Sequence, residues 1–207
     1  MGFSLPLVLM AAPARRGRET DEVSNPVKSV RADPPDRAAY FATNDRYGTL
    51  WRYAVAAYYG GDATASEEAF SLAYKSSPDI VPMLLDYALC SLFYPAQHQS
   101  VKRAAGLVAE AERNGAKGAR PDILKALIAI QSGELAAARL LLPQAGKAGE
   151  GQPEGTVAWR LSSRLALGNE APTLTPEELE LLLPRPAELS PRNRRKGRWS
   201  PEAGLQQ

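Results

Sequence analysis

At 207 residues, 44% of them apolar and 7% aromatic, the chain has room for one domain of ordinary size with tails. A formal charge of +2 excludes a strong overall field drawing it to nucleic acid or to a membrane surface. A single cysteine, Cys90, excludes an intramolecular disulfide and a cysteine-based metal site.

The N-terminal run FSLPLVLMAA, residues 3–12, is too short to span a bilayer. It fits the apolar part of a secretory signal, whole or clipped by a misplaced start, with Ala12-Pro13-Ala14 as cleavage site. Against that, no Lys or Arg precedes it, Pro6 interrupts it, and Arg15 and Arg16 follow at once. These features favour a cytoplasmic chain, with export the consequence if residues 1–14 are a signal. Pro6 also stands where an N-myristoylation motif needs Ser or Thr. Residues 13–36 are polar and broken by Pro26, Pro34 and Pro35, so residues 1–36 read as a flexible leader. Residues 37–41 fit a short helical turn opening a domain over 37–183.

From Tyr47 the pattern is helical, as expected of a chain rich in alanine and leucine. YGTLWRYAVAAYY predicts a helix stopped by Gly60-Gly61, and Asp62 or Thr64 can cap the next, which ends before Pro78. IVPMLLDYALCSLFYP and SVKRAAGLVAEAER predict a second pair around a loop at residues 95–99, closed by Gly115. PDILKALIAIQSG and ELAAARLLLPQAGKAG predict a third. Pro121 suits a first turn, and Pro143 should bend or shorten the second helix. After a Gly-rich break over 146–155, GTVAWRLSSRLALG is amphipathic through Val157, Trp159, Leu161 and Leu165. Thr175-Pro176-Glu177-Glu178 then starts a last helix, making a degraded fourth pair that covers the end of the stack. Residues 184–207 carry six basic residues against two acidic and four prolines, which predicts a disordered tail.

No catalytic constellation emerges. His98 is the only histidine, and no second His or Cys can join it on a metal. Cys90, inside LLDYALCSLF, reads as a small buried hydrophobe. Glu67-Glu68 and Glu177-Glu178 are adjacent pairs, which diverge on a helix and favour its positive end instead. Neither a phosphate loop nor Gly-x-Ser-x-Gly is present. The chain therefore reads as a non-enzyme, with no cofactor, metal or small-molecule substrate to assign.

Small residues at Ala126, Ala129, Ala138 and Ala145, with Leu142 among them, let two antiparallel helices approach closely. Ala54, Gly61, Phe70, Ala73 and Pro78 repeat that theme, with Ser66 in place of one alanine; Leu84, Ala88, Ala104, Val108 and Ala111 continue it. Phe70 to Val108 is 38 residues and Val108 to Leu142 is 34, so one four-residue insertion at the 95–99 loop restores phase. This pattern resembles the tetratricopeptide repeat (TPR), a helix–turn–helix unit of about 34 residues. The resemblance implies an all-α fold: a right-handed stack of antiparallel helix pairs, a TPR-like α-solenoid, between disordered termini.

It also implies a function, a scaffold whose concave face is lined by the first helix of each pair and holds a peptide or a partner helix. By position that face would carry Trp51, Arg52, Val55, Tyr58 and Tyr59, then Leu85, Leu89, Phe93 and Tyr94, then Ile123, Leu127 and Gln131. Tyr, Trp and Arg are the residue types that anchor interfaces. The competing reading packs several of these against the leader or neighbouring helices. The family's clamp for acidic C-terminal tails needs Lys and Asn where Trp51 and Val55 stand, which points to an apolar or amphipathic ligand. An alternative function lies in the tail: Arg192, Arg194, Arg195, Lys196 and Arg198, with Trp199 to stack, would meet nucleic acid or an acidic partner.

Overall fold

A computed structural model of the chain describes residues 47–94, 100–168 and 171–186. Among them are eight helices and no strand. These are α1 (Tyr47–Tyr59), α2 (Ala63–Ser76), α3 (Val81–Leu92), α4 (Ser100–Arg113), α5 (Ala119–Gln131), α6 (Leu135–Ala148), α7 (Pro153–Leu167) and α8 (Pro176–Leu182). The leader, the 95–99 loop with His98, and the tail beyond residue 186 lie outside the described residues. No described helix is long and apolar enough to cross a membrane.

Local chemistry sets the helix ends. Gly61 and Gly133 sit at positive φ, 80° and 79°, a conformation that costs any side chain with a Cβ. Each closes its helix with the same pair of bonds. Gly61 N–H donates to Tyr58 C=O and Asp62 N–H to Ala57 C=O; Gly133 donates to Ile130 and Glu134 to Ala129. Gly115 and Ala116 repeat this pair at the end of α4. Of the two candidate caps for α2 it is Asp62 that acts, its carboxylate accepting from Ala65 N–H at 2.9 Å. Thr175 forms a full capping box, its hydroxyl accepting from Glu178 N–H while the Glu178 carboxylate accepts from Thr175 N–H.

Consecutive helices pack as hairpins, α1 with α2, α3 with α4, α5 with α6, and α6 packs nearly as closely on α7. The odd-numbered helices also meet in series, α1 with α3, α3 with α5 and α5 with α7. The alanines make this possible: Ala54, Ala88, Ala104, Ala126, Ala138 and Ala145 have no exposed surface. Leu142 fills the space between them in the third hairpin and is fully buried. Ser66 keeps its hydroxyl in the dry interior by donating to Ala54 C=O at 2.7 Å, which leaves it to accept from Tyr94 Oη at 2.8 Å. Amphipathic α4 buries only Ala104, Leu107, Val108 and Ala111, one helical face. Helix α3 differs, because every residue from Met83 to Leu92 is buried. A helix buried on all sides is a central one, and α1, α2, α4 and α5 all touch it.

Two expectations need correction. Pro143 neither ends nor shortens α6, which runs on to Ala148. Proline removes only the bond to the carbonyl of exposed Arg139, where water can replace it, while buried Leu142 and Ala145 hold the helix on both sides. Nor does the Gly-rich break span 146–155: only residues 149–152 are non-helical, and Gly146 and Gly155 lie inside α6 and α7. Gly146 is packed beneath the Trp159 indole, and a Cβ on it would lie 2.6 Å from Trp159 Cε2. A Cβ on Gly149 would lie 2.7 Å from both Ala119 Cβ and Gly155 N, so these glycines bring α6 and α7 together instead of separating them.

Candidate partner-binding face

The first helices of the hairpins are tied together by one polar chain. Asp86, in the middle of α3, is the only charged residue between positions 80 and 101 and is 6% exposed. Its Oδ2 accepts from Trp51 Nε1 of α1 at 2.8 Å, and its Oδ1 pairs with the guanidinium of Arg120 at the start of α5. Burial pushes the Asp86 carboxyl above its ordinary value, and Arg120 and Trp51 oppose that by favouring the charged form. Arg120 Nη2 also donates to the carbonyl of Leu182 at 2.5 Å.

That last bond carries the network onto the C-terminal segment. After α8 the backbone is non-helical from Leu183 through Pro186. Tyr59 Oη, at the end of α1, donates to the carbonyl of Leu183. Arg185 lies over the Tyr59 ring, its Cζ 4.6 Å from the ring centroid, and pairs with Glu180. Leu182 and Leu183 are themselves buried. Residues 182–185 thus rest against side chains from both α1 and α5. Arg164 of α7 anchors the base of this segment by pairing with buried Glu178 at 2.6 Å.

Positions expected to line the face are distributed unevenly. Trp51 is half-buried and Arg52 exposed. Val55, Tyr58, Tyr59, Leu85, Leu89, Phe93, Tyr94, Ile123 and Leu127 are buried. Tyr58 meets Tyr59 and Tyr94 edge to face, with centroids 5.9 and 6.0 Å away. Gln131 is half-buried and donates to Leu92 C=O at 2.9 Å, joining α5 to the end of α3. Arg192, Arg194, Arg195, Lys196, Arg198 and Trp199 lie outside the described residues.

Burial raises the phenols of Tyr58, Tyr59 and Tyr94 and the thiol of Cys90 well above their ordinary values. The phenols stay protonated at neutral pH; Tyr59 donates to Leu183 C=O and Tyr94 to Ser66 Oγ, while the buried Tyr58 hydroxyl has no partner among the described residues. Glu67 does more than favour a helix end, since it accepts from Tyr87 Oη of α3 at 2.8 Å and pairs with Arg103 of α4. Among the described residues no group of three or more His, Cys, Asp or Glu could hold a metal ion.

Sequence reading missed Asp86, Arg120 and residues 182–185. For Asp86 the signal was present, a lone charge inside VPMLLDYALCSL that must be paired if that helix is buried. No known protein family, curated protein or solved structure matches the chain.

Proposed function

We propose that the chain is a non-enzymatic protein–protein interaction scaffold, a right-handed TPR-like stack whose first-helix face holds a segment of a partner. The observation that carries this reading is the seat of residues 182–185. The last residue of α8 and the non-helical residue after it have their carbonyls received by Arg120 of α5 and Tyr59 of α1, and the guanidinium two residues on is placed on an aromatic ring. A surface that satisfies a peptide backbone with fixed side-chain donors has the chemistry of a peptide-recognition site. Support also comes from the buried alanines and from the serial packing of the odd-numbered helices.

A photo-crosslinking amino acid at exposed Arg52, beside this face, tests the proposal against one at exposed Arg139 on α6. Proteins captured from position 52 and absent from position 139 support it. The same set from both positions, or none from either, rejects it.

A further inference from the structure

Resting on that reading, we infer that residues 182–185 are a built-in occupant of the face, and that the partner is a segment of the same chemistry, a helix end running into non-helical chain, which binds by displacing them. The partner would offer two bulky aliphatic residues followed, two positions later, by a basic one, as in Leu182-Leu183-Pro184-Arg185.

Four features of the seat define that ligand. Tyr59 Oη and Arg120 Nη2 each donate to a main-chain carbonyl, of Leu183 and Leu182 respectively, so any sequence with carbonyls at that spacing is accepted there. The Leu183 side chain is fully buried and Leu182 nearly so, which selects for apolar residues at both positions. The Tyr59 ring takes the cation of Arg185, which selects for Arg or Lys and against an acidic residue. Pro184 between them is exposed, so the seat leaves that position open to any side chain.

Beyond the contacts of the seat itself and the Arg164–Glu178 pair, the attachment of the segment is limited. Helix α8 has seven residues and packs on α7 alone among the helices with which it makes substantial contact. Beyond Leu183, whose N–H is bonded to Leu179 C=O, residues 184–186 are in no regular element. Such a segment can lift from the face while the hairpins of α1 to α6 stay packed. A tethered competitor acts at an effective concentration of the order of millimolar, so it weakens outside ligands without blocking them.

The test uses a fluorescent peptide of residues 180–186, titrated into the intact chain and into a Leu183→Ser/Arg185→Ala variant. We expect the variant to bind at least about tenfold more tightly than the intact chain, because its own segment no longer competes. The same peptide with its arginine replaced by glutamate should bind neither. Should the variant fail to fold, hydrogen exchange on the intact chain gives an independent reading. Excess peptide should speed exchange at the Leu183 amide and leave α3 protected.

Equal binding to both chains, binding to neither, or unchanged exchange overturns the inference. An intact chain that dimerises, with the dimer lost in the variant, assigns the face to a second copy and overturns it too. If the peptide fails while position 52 still captures proteins, the self-occupant idea falls and the scaffold reading stands. Peptide binding of the expected kind supports the self-occupant whatever position 52 captures.

Discussion

Asp86→Ala removes the centre of the network joining α1, α3 and α5. Trp51 Nε1 then loses its acceptor, and because that side chain is half-buried the cost is about 1 kcal/mol. Arg120 loses its charged partner but keeps the Leu182 carbonyl, and its side chain is 22% exposed. Its share is about 1–2 kcal/mol, below the roughly 3–5 kcal/mol of a fully buried pair broken on one side. The expected loss is therefore about 2–3 kcal/mol, or roughly 10 °C in Tm for an ordered domain of this size. Asp86→Asn keeps one acceptor oxygen and sets an N–H donor against either Trp51 or Arg120 in place of the other, so it should cost about 1–2 kcal/mol, less than alanine.

The pH dependence has a definite sign. Burial raises the Asp86 carboxyl in the folded chain, so the folded state binds its proton more tightly than the unfolded state does. The stability from that proton is fully present below about pH 4 and is lost as pH rises through the folded value. Asparagine does not titrate, so raising the pH from about 4 should shift the stability difference in favour of Asp86→Asn. Urea unfolding followed by far-UV circular dichroism, at several pH values, reads both effects. A loss under about 1 kcal/mol for alanine, or equal losses for alanine and asparagine, would refute the reasoning.

Gly155→Ala should cost about 2–3 kcal/mol or more, because its Cβ would fall on the Gly149 carbonyl and only backbone could yield. Gly146→Ala should cost less, about 1 kcal/mol, since the atoms nearest its Cβ belong to the Trp159 ring, a side chain that is 44% exposed; thermal melts of the two variants should differ accordingly. Thr175→Ala removes half of the capping box and should cost about 1 kcal/mol, seen as faster hydrogen exchange in α8 with α1 to α6 unchanged. Cys90 has no exposed surface and its thiol is pushed up by burial, so a maleimide at about pH 8 should label the chain only in denaturant. Labelling of the native chain at the rate of a free thiol would mean that α3 is not central.

Local features were legible because their causes lie within a few residues. Asp62 caps α2, Thr175 caps α8, and Gly61, Gly115 and Gly133 end helices where their positions in the sequence place them. The burial of Ala126, Ala129, Ala138, Ala145 and Leu142 follows from their helical spacing. Pro143 was misread because the cost of proline depends on what else holds the helix, and that is a matter of packing. Gly146 and Gly155 were misread for the same reason: a glycine that frees the backbone and one that admits a neighbour look alike in a sequence.

The sequence by itself determined that the chain is helical, where most of its helices stop, and which faces are narrow enough to nest. Only the tertiary structure decided what lies on those faces. Tyr59 and Leu183 are 124 positions apart, and no periodicity or capping rule links them. Their meeting depends on the path of every helix between, which brings α7 and α8 back toward α1. The exposure of an aromatic side chain is likewise set by whatever segment arrives over it. For Tyr59 that segment is residues 182–185, which only the assembled fold could place there.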